Sequence, residues 1–188
     1  LTDPAISFVK GFYHRPLTSG GYSEPDGGGR VTELLARPLV NLFWPDLAGF
    51  VQPLAGEAAG RREVLDRVPF VSGYGVEIAM LVDLLDLAGL DALAQVDLGE
   101  RTHRNQSNEA LGQMAAQILL TAWSRLVRQG RADASTPLPS VLTQFRRGGE
   151  RPLPHLGREI IVSDVGIDER PPLVTVHLPQ PASRTAAR

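Results

Sequence analysis

The stretch from Val71 to Asn105 constrains the fold most, because four sequence patterns follow one another in it. After a glycine-rich turn, Tyr74–Ala88 carries apolar residues at the spacing of one helix face. The apolar run Ala92–Leu98 then predicts a strand, and a polar run rich in hydrogen-bond donors follows. Strands interleaved with helices are typical of an α/β fold, and the ends of such elements are where chemistry is usually built.

The other patterns also alternate between strand and helix. Residues 16–29 are rich in Gly, Ser and Pro and predict a loop. Thr32 is a predicted N-cap, and Pro38 is expected to kink or split the helix that follows. Strands are predicted at Ile6–Tyr13, Phe50–Leu54, Val141–Phe145 and Glu159–Val165. Helices are predicted at Thr32–Phe43, Gly56–Val68 and Asn108–Gln129, the last capped by Ser107 or Asn108.

Composition excludes several classes of function. With 188 residues, 43% hydrophobic and 21% charged, the chain has the size and composition of about one globular domain. A net charge of −2 gives no case for nucleic-acid binding. The absence of cysteine excludes thiol nucleophiles and Cys-based zinc sites, and it is compatible with the cytoplasmic location that we predict. The most apolar windows contain Asp83 and Asp86, or Gln117 and Thr121, so no membrane span is predicted.

Glu77 breaks the pattern of its own helix. It falls on the apolar stripe of Leu81 and Leu84, whereas Asp83 and Asp86 are predicted to point to the opposite, solvated face. A carboxylate on a buried stripe is either paired structurally or directed at a ligand, and a Glu in the first turn is also favoured by the helix dipole. Tyr74, between two glycines, either fills the turn or presents its ring to a ligand.

The run Gly27–Leu35, GGGRVTELL, has the composition of an anion-binding loop. Glycines let backbone N–H groups approach a ligand, and Arg30 supplies a bidentate donor beside a helix N-terminus. Thr32 could bond either a phosphate oxygen or its own helix terminus. The alternative is a flexible loop that leads into a capped helix. No Lys-Ser/Thr pair follows, so the run is not a Walker P-loop.

A second cluster of donors, Arg101–Asn105, follows the strand predicted at Ala92–Leu98. The carboxyl ends of strands face the ligand crevice in α/β proteins, so this run suits a phosphorylated ligand. His103 could bind a metal or a phosphate, or the run could be a solvated polar loop. The turn Gln52–Glu57, QPLAGE, could expose backbone groups to a sugar.

These motifs together resemble those of one enzyme family. GFYHRPL at 11–17, GGGRVTELLARPL at 27–39, QPLAGE at 52–57, PFVSGYGVEIAML at 69–81 and AQVDLGERTHRNQ at 94–106 are similar to glucosyl-3-phosphoglycerate synthase of actinobacteria. The resemblance implies a retaining glycosyltransferase of the GT-A type, with a mixed sheet flanked by helices. It also implies glucose transfer from UDP-glucose to 3-phosphoglycerate and a divalent metal, Mg²⁺ or Mn²⁺.

The resemblance also assigns residues. Gly29, Arg30, Val31, Thr32 and Asn105 would bind the phosphoglycerate acceptor. The nucleotide-sugar donor would be bound by Leu54, Tyr74, Glu77 and Arg101, with Leu54 acting through its backbone. Glu77 is the candidate catalytic residue, with an orienting role favoured over a nucleophilic one. His103 would be a ligand of the metal.

One departure from the family concerns its nucleotide-binding half. The family carries an Asp-x-Asp motif in an N-terminal half, and this sequence has no Asp-x-Asp. We therefore expect residues 1–146 to be the C-terminal, acceptor-side part of a GT-A domain, inactive alone. Residues 147–188 would be an extension with a disordered tail from about 179. The strand at Ile6–Tyr13 is expected to lack its sheet neighbours and to leave an apolar edge exposed.

Alternative functions stay open at this level. One is a mannosyl-3-phosphoglycerate synthase that uses GDP-mannose, and the other is a non-catalytic module that binds phosphorylated metabolites or serves in assembly. Dimers are common in the family. The helix at Asn108–Gln129 could contribute to such a homodimer or could be buried within its own domain.

Overall fold

The computed structural model describes residues 1–14, 16–19, 22–24, 29–101, 106–135, 137–147 and 158–176. The strands are Phe8–His14 (β1), Leu17–Ser19 (β2), Tyr22–Glu24 (β3), Ala58–Gly60 (β4), Phe70–Val71 (β5), Leu93–Glu100 (β6), Val141–Arg147 (β7), Arg158–Asp164 (β8) and Glu169–Arg170 (β9). The α-helices are Arg37–Phe43 (α1), Arg62–Leu65 (α2), Val76–Ala88 (α3) and Asn108–Arg128 (α4). A π-helical turn at Thr32–Ala36 precedes α1, and 3₁₀ turns lie at Pro45–Leu47, Gly73–Gly75, Leu90–Ala92 and Leu173–Thr175.

Strand β1 lies in the middle of a mixed three-stranded sheet with the order β4-β1-β6. It is antiparallel to β4 and parallel to β6, with Phe8 opposite both Gly60 and Leu93. The predicted mixed sheet is therefore confirmed. The expectation that the first strand lacks neighbours and leaves its edge exposed is wrong, because β4 and β6 cover both of its edges. In the described part of the chain the outer strands of this sheet are β4 and β6, and Val96 and Leu98 of β6 are exposed.

Helices α3 and α4 pack against one another and supply much of the core. The middle of α3 is buried on more than one face, at Ile78, Leu81, Val82 and Leu84. Burying each such side chain contributes roughly 1.5–3 kcal/mol. The predicted α4 is confirmed, and the Ala110 N–H donates to Ser107 Oγ at 3.2 Å, as expected for an N-cap. Three apolar residues of α4, Ile118, Ala122 and Leu126, are buried within the chain itself.

Asp83 is not on a solvated face, contrary to the sequence prediction. It is 9% exposed, and its Oδ2 accepts from Arg125 Nη2 at 2.5 Å. The second Arg125 amine, Nη1, donates to Glu169 Oε2 at 2.5 Å. The helical wheel misplaced Asp83 because α4 packs on the side of α3 that the pattern left to solvent and places Arg125 against this carboxylate. The prediction for Asp86 is confirmed, since its side chain is exposed.

Around the first helix and the segment before it, two local predictions are wrong and one is confirmed. Thr32 is not an N-cap: the Glu33 N–H already donates to the Gly29 carbonyl at 3.0 Å, so Thr32 lies inside the helical turn. The predicted split at Pro38 is confirmed, because a π-helical turn ends at Ala36 and α1 begins at Arg37, with Pro38 in its first turn, where a missing N–H costs little. Described residues of the loop at 16–29 form a hairpin of β2 and β3.

The segment from Phe50 to Val68 also differs from its prediction. Phe50–Leu54 forms turns instead of a strand, and the predicted helix Gly56–Val68 is reduced to α2. Residues 58–60 pair with β1 as strand β4. Pairing with the edge of β1 therefore decides the structure of residues 58–60. This pairing is a tertiary contact, and the local helical pattern carries no information about it.

The last described segment pairs with earlier parts of the chain. Strands β7 and β8 form an antiparallel hairpin from Val141 opposite Asp164 to Arg147 opposite Arg158, which confirms both predicted strands. Strand β9 pairs with β5. The domain boundary at residue 146 stays a prediction, and the predicted disordered tail lies outside the described residues. No helix in the described ranges is long and apolar enough to cross a membrane.

Candidate functional site

The Arg30 turn connects two of the predicted clusters. Gly29 has φ +81, a left-handed conformation that favours glycine, and the helical turn begins directly after it. Arg30 is exposed and donates from Nη1 to Asn108 Oδ1 and from Nη2 to the Gln106 carbonyl, both at 2.9 Å. The structure thus brings Arg30 beside the residues that lead into α4. Gly27 and Gly28 lie outside the described residues.

Val31 and Thr32 follow Arg30 but are buried, at 9% and 5% exposure. The side chain of Val31 is part of the hydrophobic core. Of the four consecutive residues predicted to bind the acceptor, only Arg30 therefore presents a charged side chain at the surface. Any contact of Val31 or Thr32 with a ligand has to use the backbone.

Tyr74 and Glu77 lie at the N-terminal end of α3. The Tyr74 ring is 46% exposed, and its backbone N–H donates to Gln117 Oε1 at 2.9 Å. Glu77 is partly buried, and a Cβ placed on Gly56 would lie 3.7 Å from Glu77 Oε1. Burial raises the pKa of the Glu77 carboxyl above its ordinary value, and its own backbone hydrogen bond and Lys10 partly oppose this. The predicted half-buried position of Glu77 is confirmed.

Lys10 is a charged residue of this region that the sequence prediction missed. It lies in the central strand β1 and is only 2% exposed. Desolvation lowers the pKa of the Lys10 amine to about 8, and the Glu77 carboxylate partly offsets this. The available signal was the only lysine of the chain standing inside an otherwise apolar strand. A buried lysine with a shifted pKa near a buried carboxylate is typical of functional sites.

Arg101 lies at the end of β6, close to β1. Its backbone N–H donates to the His14 carbonyl at 3.0 Å, and its guanidinium carbon is 5.5 Å from the centre of the Tyr13 ring. Arg101 Nη1 forms an ion pair with Glu57 Oε1. Glu57, the last residue of the QPLAGE turn, was not singled out from the sequence.

The QPLAGE turn is attached to β1 by a side chain. Gln52 Nε2 donates to the Tyr13 carbonyl, and the Tyr13 N–H donates to Gln52 Oε1 at 3.3 Å. Leu54 is partly buried against the core. The turn therefore places Leu54, Gly56 and Glu57 between β1 and the start of α3, and the backbone role of Leu54 stays a prediction.

Two predicted site residues, His103 and Asn105, lie outside the described residues. The described residues on either side of this segment are Arg101, which is itself a predicted site residue, and Gln106, whose carbonyl accepts from Arg30. Among the described residues no group of three or more His, Asp or Glu side chains could hold a metal ion. The described part of the chain therefore contains no complete metal site, and His103 as a metal ligand stays a prediction.

Comparison with known proteins gives a consistent result. The chain matches no family model. It is 41% identical over 176 residues to the glucosyl-3-phosphoglycerate synthase of Petrotoga mobilis, covering 94% of this chain and 52% of the relative. The enzyme of that name from Mycolicibacterium smegmatis is 46% identical, covering 94% and 54%. The chain thus spans about half the length of the curated relatives it matches.

Solved structures show the same similarity. A mannosyl-3-phosphoglycerate synthase from Rubrobacter xylanophilus superposes with a TM-score of 0.76 at 40% identity, covering 93% of this chain and 52% of that one. The glucosyl-3-phosphoglycerate synthase of Mycobacterium tuberculosis, in complex with Mn²⁺, UDP and glucosyl-3-phosphoglycerate, gives 0.71 at 41% identity, with coverages of 93% and 52%. Another structure of that enzyme contains Mg²⁺ and UDP. Over the part that it shares with them, the chain is a homologue of the glucosyl-3-phosphoglycerate synthases and has the GT-A glycosyltransferase fold of the corresponding region.

Proposed function

We propose that this chain is the acceptor-side part of a retaining glycosyltransferase that transfers glucose from UDP-glucose to 3-phosphoglycerate. The observation that carries the proposal is the identity of 41% and 46%, over 94% of the chain, to two enzymes named for this product. A structure of a third such enzyme, at 41% identity, contains UDP, the glucosylated product and Mn²⁺.

For the acceptor, we propose a site built from Gly29, Arg30, Val31, Thr32 and Asn105. The Arg30 guanidinium is exposed and already held by Asn108 and Gln106, so little side-chain entropy is lost when it binds a phosphate or carboxylate. Gly29, Val31 and Thr32 would contribute backbone groups at the start of the helical turn.

For the donor, the proposed residues are Leu54, Tyr74, Glu77 and Arg101. An ionised Glu77 accepts hydrogen bonds from sugar hydroxyls, and Lys10 favours that ionised form. We propose Glu77 as the catalytic residue because it would orient the glucosyl group at the reaction centre. Arg101 would contact the diphosphate, whose developing charge has to be stabilised as UDP leaves.

A divalent metal, Mg²⁺ or Mn²⁺, would neutralise the diphosphate of the leaving group. We propose His103 as a protein ligand of this metal, because it stands in the run AQVDLGERTHRNQ that resembles the family. The other ligands would come from the diphosphate and from the half of the relatives' length that this chain does not span.

Mannosyl transfer to the same acceptor is the second candidate, because the structure with a TM-score of 0.76 is a mannosyl-3-phosphoglycerate synthase. Under this alternative the donor would be GDP-mannose instead of UDP-glucose, and the acceptor would be the same. The two candidates are separated by assaying transfer from UDP-glucose and from GDP-mannose, with this chain joined to the part of its relatives' length that it does not span.

Calorimetry with 3-phosphoglycerate tests the acceptor site on this chain itself. We expect binding that Arg30→Ala weakens by about tenfold or more, which is the loss expected for one charged hydrogen-bonding side chain. Arg62→Ala is the matched control, since Arg62 is also exposed but lies on α2, away from the proposed site. If the chain binds no 3-phosphoglycerate, or if both variants bind like the wild type, the proposed acceptor site is wrong.

Assembly and location complete the proposal. We propose a homodimer, which light scattering of the purified chain tests. Ile118, Ala122 and Leu126 of α4 are buried within the chain, whereas Leu119 is 47% exposed, so the part that α4 plays in a dimer stays a prediction. We also propose a cytoplasmic location, which the UDP-glucose and phosphoglyceric acid bound in a structure of the Mycobacterium tuberculosis enzyme support.

A further inference from the structure

The two carboxylate oxygens of Glu57 lie in different environments, and one of them is buried without a partner among the described residues. One carboxylate oxygen, Oε1, is ion-paired with Arg101. The other, Oε2, is buried and has no hydrogen-bond partner among the described residues. Burying half of a carboxylate in this way costs free energy, so the position calls for a compensating role.

The backbone of Glu57 is held tightly against β1. The Gly11 N–H donates to the Glu57 carbonyl at 2.8 Å. A Cβ on Gly11 would lie 3.2 Å from both the Cβ and the carbonyl oxygen of Glu57, and 2.6 Å from Leu98 Cδ1. A side chain at position 11 would press on Glu57 and on Leu98, so glycine favours this close approach of Glu57 to β1.

Arg101 is held on several sides and is still accessible. Its backbone is bonded to His14, its guanidinium stands over the Tyr13 ring, and Glu57 binds one of its amines. The side chain is nevertheless 54% exposed. A guanidinium fixed in this way retains N–H donors that face solvent, which is the arrangement that binds an oxyanion with little loss of side-chain entropy.

We propose that Glu57 is a positioning residue that holds the Arg101 guanidinium for a diphosphate group. The inference rests on the proposed function, under which Arg101 faces the diphosphate of the nucleotide sugar. It adds the residue that orders Arg101 before the ligand arrives.

Removing the charge of Glu57 tests the inference, because a positioning role and simple charge repulsion predict opposite changes in the affinity for diphosphate. A carboxylate beside Arg101 repels an anion, so removing its charge should strengthen diphosphate binding if charge alone matters. If Glu57 positions Arg101, the same change should weaken binding, because the freed side chain has to be ordered by the ligand. The two accounts predict opposite directions for Glu57→Gln.

The experiment uses the full chain with inorganic diphosphate and Mg²⁺ as the probe. Calorimetry should show that Glu57→Gln and Glu57→Ala weaken diphosphate binding about three- to tenfold, the loss expected for one side chain that must be ordered on binding. Glu57→Asp, which keeps the charge, should retain most of the affinity. Glu100→Gln is the matched control, since it removes an exposed carboxylate one residue from Arg101. That control should bind diphosphate at least as tightly as the wild type.

A second readout does not depend on ligand affinity. In the wild type, NMR should show restricted rotation of the Arg101 guanidinium, with its Nε–H resonance assigned by its loss in Arg101→Lys. This restriction should disappear in Glu57→Gln. A freely rotating Arg101 in the wild type, no diphosphate binding by the wild type, or equal or tighter binding by Glu57→Gln would each overturn the inference. Diphosphate binding that Glu57→Gln weakens, in a chain that binds no 3-phosphoglycerate, would support the inference while the proposed acceptor site fails.

Discussion

At the scale of single residues, the main feature is a pair of opposite charges placed where solvation is poor. Lys10 is buried in the central strand and Glu77 is partly buried at the start of α3. Desolvation lowers the pKa of Lys10 and raises the pKa of Glu77, and each charge partly opposes the shift of the other. Both residues therefore reduce stability at pH values where they are ionised, a cost that active sites commonly carry.

Glu77→Gln should change how stability depends on pH. Because the pKa of Glu77 is raised above its ordinary value of 4.5, this carboxyl contributes stability at low pH that is lost as pH rises through the folded-state pKa. The variant cannot lose it, so its free energy of unfolding should increase relative to wild type as pH rises from 4.5. Urea unfolding between pH 4 and 8 measures this, with the exposed Glu63→Gln as control. A difference that is constant with pH would contradict the prediction.

Lys10→Met should remove a pH dependence at the alkaline end. The pKa of Lys10 is lowered from 10.5 to about 8, so between these values the unfolded chain holds a proton that the folded chain has released. This contribution of Lys10 makes wild-type stability rise with pH over that window, by on the order of 3 kcal/mol. The variant should lack this rise in parallel urea titrations. If the free energy of unfolding changed with pH equally in the two proteins, Lys10 would be solvated and the prediction would be wrong.

At the scale of secondary-structure elements, one buried ionic cluster joins three of them. Arg125 of α4 is 1% exposed and binds Asp83 of α3 and Glu169 of β9. Arg128, one turn further along α4, also pairs with Glu169. Because α3 carries Tyr74 and Glu77 at its N-terminal end, the cluster fixes the helix on which part of the candidate site is built.

Breaking this cluster on one side should be costly. Asp83→Ala leaves the buried Arg125 with one carboxylate fewer and should lower the free energy of unfolding by about 3–5 kcal/mol. The double variant Asp83→Leu/Arg125→Met removes both buried charges and leaves Arg128 paired with Glu169. It should regain most of that loss, because a well-packed apolar pair of similar volume replaces the ions. Chemical denaturation of the three proteins decides; a double variant as unstable as Asp83→Ala would refute the account.

At the scale of the whole molecule, the segment after β7 contributes to the same packed unit as the rest. Val165 is 3% exposed, β9 pairs with β5, and Glu169 completes the cluster around Arg125. The predicted division at residue 146 separates these groups from their partners. Its consequence for folding can be measured directly.

Truncation after Arg146 tests that division. Removal of β8 and β9 should expose Gln113 and Arg125, which they contact, so we expect a lower melting temperature than for a chain ending at Val176. The chain ending at Val176 keeps every described residue and is the control. Equal melting temperatures would support an independent domain over residues 1–146. Differential scanning calorimetry provides the measurement.

Some of this structure was predictable from the residues. The long helix with its Ser107 cap, the strand after α3 and the two strands of the C-terminal hairpin were all predicted, because their patterns are long or strongly periodic. The half-buried Glu77 was predicted for the same reason. The motifs also indicated the family, since long ordered runs are specific where single residues are not.

Other features depended on contacts between distant residues. Asp83 was misplaced because helical periodicity assumes one buried face, whereas α3 is buried on more than one face and α4 places Arg125 against Asp83. Strand β4 was predicted as helix because its pairing with β1 is not encoded locally. Glu57 was missed because only the fold brings it to Arg101, 44 residues later.

The sequence by itself determined the alternation of helices and strands, the donor-rich runs around Arg30 and Arg101, and the resemblance that their order carries. Only the tertiary structure decided which charges are buried and which groups meet. It placed Lys10 with Glu77, Glu57 with Arg101, and Arg30 with the start of α4. The physical reason is that burial and electrostatic pairing depend on distances between elements, and a periodic pattern contains information about one element at a time.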